Sequence, residues 1–350
     1  MFFIFLVPSI LLTINRFGLS EKTRELISFN LSGPLSLSIC MIFFSQFKIE
    51  IEYMKKWVWP AVYPILGVLT LAVYSTLTST YIDFGSESLF VTSGGYGPNQ
   101  VSAVLGLGAL LLIMLAISEG KKIGRFWAVL FALAFVTQSF LTFSRGGVYN
   151  FVIGLVGAII HLLGRPDKFI KGTFVVLILV IIIGLIVIPK LDIITEGTLT
   201  QRFTDLDTTG REKLAKADLE LFIQNPVLGV GPGMAGYSRL AYSHIASHTE
   251  YSRLIAEHGM GGLLALLLLL ILLARSYFKA PDAMNRAWVV ALAAWPLVEM
   301  AHAAMRLVSI SFMLGIALVE WTVTSEINIE HEEPTASFHH DKVHQNFIKR

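Results

Sequence analysis

The sequence predicts an all-α polytopic membrane protein, with about ten transmembrane helices and one long extracytoplasmic loop carrying short amphipathic helices. Three observations predict it. First, 54% of the 350 residues are hydrophobic and only 15% are charged, against about 25% charged in an ordinary soluble domain. Second, the charges are segregated: windows 26–47, 57–82, 88–118, 126–144, 146–164, 172–189 and 258–274 contain no Asp, Glu, Lys or Arg. A run of about 18 or more such residues crosses a ~30 Å hydrocarbon core as a helix, and lipid cannot satisfy the open edge of a strand. Third, residues 190–259 form a polar stretch too long for an ordinary connection and too varied for a linker. This composition excludes a soluble enzyme, a disordered chain and a nucleic-acid binder.

In chain order, the apolar runs place spans near 1–15, 27–47, 58–79, 98–118, 126–143, 147–163, 172–189, 260–275, 287–305 and 307–324. The N-terminal MFFIFLVPSILLTI has no basic leader and no small-residue cleavage site, so it reads as a retained span. The eighth span, GLLALLLLLILL, has no polar face and is expected to meet lipid. Residues 1–324 are read as one membrane domain that includes the loop 190–259, and 325–350 as a polar cytoplasmic tail. The single cysteine, Cys40, offers no disulfide and no cysteine metal site.

Orientation follows from the basic residues of the short loops. Loops 48–57, 119–125, 164–171 and 275–286 hold twelve Lys and Arg, and the alternate loops hold five: Arg16, Lys22, Arg24, Arg145 and Arg306. The richer set is cytoplasmic, so residues 190–259 lie outside the cytoplasmic membrane.

Within that loop, TTGREKLAKADLELFIQNP predicts a helix with Leu214, Ala217, Leu221 and Phe222 on one face, lying along the membrane surface. Thr208 or Thr209 would cap its start and Asn225-Pro226 its end. Gly229-Val230-Gly231-Pro232-Gly233 is a turn able to bring backbone N–H groups to a ligand, although such turns are common in any loop. Ser247-His248-Thr249-Glu250 has capping-box spacing, with Ser247 as N-cap and His248 as first helical residue. A histidine there is held neutral and able to accept a proton; a plain surface histidine fits the pattern equally well.

Other polar residues fall on the same side. Arg145, in Phe143-Ser144-Arg145-Gly146-Gly147, closes span five, where it either snorkels to the interface or meets an anionic group admitted by the paired glycines. Asn99 and Gln100 open span four. Glu299, His302 and Arg306 share one face near the outer end of span nine, as a functional group or as a structural ion pair. Two guanidinium groups match the oxygens of a phosphate or diphosphate, and a neutral histidine can take a proton from a hydroxyl. Together they fit transfer of a group from a lipid diphosphate to an alcohol.

SRGG at 144–147, TGR at 209–211, NPVLGVGPG at 225–233 and HTEYSRLIAEHG at 248–259 resemble, in order and spacing, the motifs of the bacterial O-antigen ligase and O-antigen polymerase family, and GPNQ at 97–100 resembles its early motif. The resemblance covers roughly residues 90–325. It implies a metal-independent, multi-spanning glycosyltransferase of the cytoplasmic (inner) membrane whose active site faces the periplasm or cell exterior. Its donor would be a glycan on undecaprenyl diphosphate and its acceptor a glycan or lipid A-core. By this resemblance Arg145 and Arg211 bind the donor diphosphate and His248 activates the acceptor hydroxyl, with Asn99, Glu257, His302 and Arg306 as supporting candidates. The implied pathway is lipopolysaccharide O-antigen or exopolysaccharide biosynthesis, with membrane lipid as surroundings and no cofactor, metal or nucleic acid. The family often has Asn after this histidine, where the chain has Thr249.

The rival class is a transporter or flippase of a glycolipid or other anionic solute. Inverted repeats and broken midplane helices would mark it, and the sequence shows neither. Asp205-Leu206-Asp207 formally matches a metal-binding D-x-D, a three-residue pattern that chance supplies readily.

Overall fold

A computed structural model of the chain describes residues 1–85, 87–118, 121–205, 210–239, 242–303 and 305–323. The helices are α1 (Ile10–Phe17), α2 (Glu21–Phe44), α3 (Ile51–Thr78), α4 (Pro98–Ser118), α5 (Lys122–Leu141), α6 (Arg145–His161), α7 (Pro166–Ile182), α8 (Ile188–Ile194), α9 (Thr198–Thr204), α10 (Arg211–Gln224), α11 (Ala235–Ser238), α12 (Glu250–His258), α13 (Met260–Lys279), α14 (Ala283–His302) and α15 (Val308–Ala317). Two three-residue strands, β1 (Lys48–Glu50) and β2 (Glu320–Thr322), pair in parallel.

Among the described residues, seven helical segments are long and apolar enough to cross a membrane, against the ten spans expected from the sequence. The membrane class stands; three of the expected spans differ for separate reasons. The N-terminal one is a 3-10 helix over Phe3–Ser9 followed by α1, with Pro8 inside the first turns. The last is only the ten residues of α15, about 15 Å at 1.5 Å per residue, because the chain then turns extended to pair with β1. The ninth, α14, has the length but carries Arg286 and Glu299, and it stops at His302 rather than continuing to 305. The seventh extends further than expected: α7 and α8 join through a π-helical turn, Ile183–Val187, into one rod, Pro166–Ile194. That wider turn accommodates Pro189, which has no N–H to donate.

Burial places α4 at the centre of the bundle. Every residue from Leu105 to Ser118 is buried, beneath α3, α5, α6, α7 and α14. By contrast, α13 turns Leu264, Leu267, Leu270 and Ile271 outward, as its leucine run implies. The contact that sets the site is the crossing of α4 and α6. A Cβ on Gly147 would overlap the Ser102 carbonyl, and one on Gly106 would overlap the carbonyl of Gly147. With no side chain between them the backbones meet, as small residues permit in lipid, and the first turn of α6 is fixed against α4.

Gly147→Ala should therefore destabilise the purified protein by about 1–3 kcal/mol through overpacking. Gly184→Ala, where an added Cβ meets nothing within 4 Å, should stay within about 0.5 kcal/mol of the parent. Thermal unfolding in detergent checks both.

Candidate active site

The first element of the site is the start of α6. Phe143, fully buried, adopts φ 57°, a conformation that costs a bulky residue about 1–3 kcal/mol and persists only where packing enforces it. It reverses the chain at the end of α5, so that Ser144 becomes the N-cap of α6 and Arg145 its first residue. Asn99, in the first turn of α4, accepts a hydrogen bond from the Ser144 hydroxyl at 2.8 Å, and Ser102 donates to the Ser144 carbonyl at 2.9 Å. Asn99 thus acts on the segment that carries Arg145. Arg145 itself donates to the carbonyl of Asp205.

Two more guanidinium groups come from the loop. Arg202, on α9, donates from Nε to the Phe143 carbonyl at 3.2 Å. Arg211 is the first residue of α10; the cap before it is Gly210, at φ 76°, a conformation glycine adopts without strain. The expected caps, Thr208 and Thr209, lie outside the described residues, as do Leu206 and Asp207 of the D-x-D pattern. Burial and then the charges of Arg145 and Arg202 lower the pKa of Arg211; it stays charged, since a guanidinium does not lose its proton in proteins. Three like charges gathered this way favour an anion among them.

His248 faces the same group. Partial desolvation, then the charges of Arg211 and of Arg239, lower its pKa from the ordinary 6.5, so the imidazole is neutral near pH 7. The capping expected from the sequence is shifted by two residues. Thr249, not Ser247, is the N-cap of α12, accepting from the Ser252 N–H at 3.5 Å, and His248 precedes the helix instead of opening it. Threonine here does what asparagine would do, as both are good N-caps. Ser247 accepts a hydrogen bond from Arg239 instead.

Glu299 and His302, at the end of α14, reach the cluster from below. His302 Nε2 lies 3.0 Å from Asn150 Oδ1 and 3.5 Å from Glu299 Oε2, and Asn150 donates to that same carboxylate oxygen. Glu299 is an electrostatic neighbour of Arg211. The His302 ring occupies the space beside Gly146, where a Cβ would come within 2.5 Å of Cε1. The paired glycines are required by protein packing, Gly146 against His302 and Gly147 against α4.

Arg306 and Glu257 belong elsewhere. Because α14 ends at His302, Arg306 does not share its face; it lies over the Phe29 ring at 3.8 Å and donates to Asn30 Oδ1 at 3.3 Å. Glu257 is buried and accepts from Arg253 at 2.9 Å; burial raises its pKa against the pull of Arg253. Arg253 also pairs with Glu250, whose carboxylate accepts from the Met305 N–H at 3.0 Å. These residues form a structural node joining α12, α2 and the chain after α14. The glycine turn serves that node too. Val230 and Gly231 donate their N–H groups to the Ala256 and Glu257 carbonyls at 3.0 and 2.9 Å, closing the end of α12. Gly229, Gly231 and Gly233 have φ of 68°, 100° and 76°, so the turn needs glycine for its own path.

The sequence reading missed Arg202 and Asn150. Asn150 was the more visible, as an amide in the apolar run of span six; Arg202 had no motif around it. Among the described residues, no group of three or more His, Cys, Asp or Glu side chains is placed to hold a metal ion.

The position of His248 has a measurable consequence. In a histidine-labelled sample titrated by NMR, its midpoint should fall below 6.5, because neighbouring positive charge opposes the imidazolium. Arg211→Gln removes one of those charges and should move the midpoint upward. A parent midpoint at or above 6.5 would contradict this placement.

No curated protein matches the chain. The family model described as O-Antigen ligase matches residues 130–267, from within α5 to within α13, a stretch that contains Arg145, Arg202, Arg211 and His248. This match bears out the resemblance read from the motifs: residues 130–267 are an O-antigen ligase family segment within a membrane protein.

Proposed function

We propose that the protein is a membrane glycosyltransferase that moves a glycan from undecaprenyl diphosphate to a sugar hydroxyl, in O-antigen or exopolysaccharide synthesis. The observation that carries this reading is the gathering of Arg145, Arg202 and Arg211 beside a neutral His248. The donor diphosphate lies among the guanidinium groups, which match its oxygens in pairs. His248 takes the proton of the acceptor hydroxyl as that oxygen bonds to the anomeric carbon. The bond from that carbon to the diphosphate oxygen breaks, and undecaprenyl diphosphate leaves with the electron pair, its charge stabilised by the arginines. The guanidinium groups supply the positive charge the leaving group needs, so this scheme is metal-independent. A lipid A-core sugar or a second lipid-linked repeat serves equally as acceptor.

An orientation with 190–259 outside and the 325–350 tail inside completes the reading. The twelve-to-five distribution of loop Lys and Arg supports this orientation, which puts the site at the outer leaflet of the cytoplasmic membrane. Asn99 and His302 hold the site through Ser144 and Asn150, and Glu257 and Arg306 hold the loop to the bundle.

Donor binding and single-turnover transfer, measured with purified protein in nanodiscs, separate the roles. His248→Ala should bind donor like the parent and transfer it about 10²–10⁴-fold more slowly, the usual contribution of a positioned base. Arg211→Ala should weaken donor binding, and Arg145→Lys or Arg211→Lys should remain impaired, because an ammonium does not reproduce a planar two-pronged contact. Transfer at the parent rate by His248→Ala would remove it as the base.

A further inference from the structure

At the far end of α13 from the active site lies a second feature, independent of the proposed reaction. Helix α13 follows directly on α12 and runs 20 residues, about 30 Å, so its last turn lies on the opposite side of the bundle from His248. There a cavity of about 470 Å³ opens between α2, α13 and β2, within the ~300–1,000 Å³ range of small-molecule sites. Its walls are mainly apolar, with Met41, Leu268, Leu272 and Trp321 among them, and its lining includes Arg275 and Lys279.

The polar groups of the lining divide sharply. The Ser38 and Ser276 hydroxyls donate to the Pro34 and Ala317 carbonyls at 3.0 and 2.5 Å, and Glu320 pairs with Lys48 at 3.0 Å. Arg275 and Lys279 are exposed, share one face of α13 by their i, i+4 spacing, and make no ion pair among the described residues. Trp321 is 5% exposed, and its indole N–H is buried without an acceptor among the described residues. An apolar chamber, two unpaired cations and one unsatisfied donor together ask for an amphiphile with an oxygen-rich anionic head.

We propose that this cavity binds an anionic phospholipid, with its phosphate between Arg275 and Lys279 and acyl chain against the apolar wall. Basic pockets between transmembrane helices hold anionic headgroups in this way. A soluble anion would leave the apolar wall unfilled, and a zwitterionic lipid would return a positive charge to a site that already has two.

Native mass spectrometry of delipidated protein, titrated with phosphatidylglycerol or with phosphatidylcholine of the same chains, tests the assignment. The parent should retain phosphatidylglycerol preferentially. At about 1 kcal/mol per basic residue, Arg275→Gln with Lys279→Gln should lose roughly 30-fold in affinity. A charge-matched control, Lys213→Gln with Lys216→Gln, should bind like the parent. Leu272→Trp, which fills the cavity and keeps both cations, should also lose the lipid. Equal retention of the two lipids, parent-like binding by the double variant or by Leu272→Trp, or displacement of the lipid by inorganic phosphate would each overturn the proposal.

Discussion

The loop that carries the catalytic candidates depends on one buried ion pair, Asp218 with Arg239, at 2.6 Å and with both side chains fully buried. Two charges removed from water cost several kcal/mol each unless every remaining hydrogen-bonding position is filled. Here they are filled by the segment that must be positioned. Arg239 donates to the Ile245 carbonyl at 2.7 Å and to Ser247, and Asp218 accepts from Ser252 at 2.7 Å. The pair thus joins α10, the strand of chain before His248 and the first turn of α12. Asp218 stands seven residues, two helical turns, after Arg211 on α10, so the contact that orients His248 also orients that arginine. Leu214 and Leu221 are buried on the same helix, and Leu221 clusters with Ala256 of α12.

The charged residues around this loop therefore divide by their surroundings. Arg239 and Arg253 are neutralised by buried carboxylates and hold the fold. Arg145, Arg202 and Arg211 lie within electrostatic reach of one another, with Glu299 also acting on Arg211 and His248 beside them. Sequence alone cannot separate these two sets, because no local pattern marks which arginine in a loop meets a buried carboxylate.

Much of the architecture was legible, and the reasons are physical. Uncharged windows long enough to cross the membrane leave few alternatives to helix, so the long spans are where composition put them. The misplaced ends, at His302, Ala317 and Ile194, were decided by local turns and tertiary pairing: extended backbone at Ala303 after α14, strand pairing after α15 and a π turn just before Pro189. Arg145, Arg211 and His248 stood out because motifs surround them, and the structure brings them within electrostatic reach of one another. The packing role of the glycines beside them was not legible, since only the packed structure reveals that Gly146 faces His302 and Gly147 faces the Ser102 carbonyl. Asp218 and Ser252 lie 34 residues apart, and no local pattern relates them.

The buried pair holds α10, with Arg211, and the chain that carries His248 in one fixed arrangement. The direct test is transfer activity and hydrogen exchange in Asp218→Asn, alone and in the charge-swapped Asp218→Arg with Arg239→Asp. Asp218→Asn should leave exchange in α4 and α6 unchanged, accelerate it in α10 and α12, and abolish most transfer although Arg145, Arg211 and His248 are intact; the swap should restore part of both. Parent-level transfer by Asp218→Asn, with unchanged protection of α10 and α12, would contradict the claim.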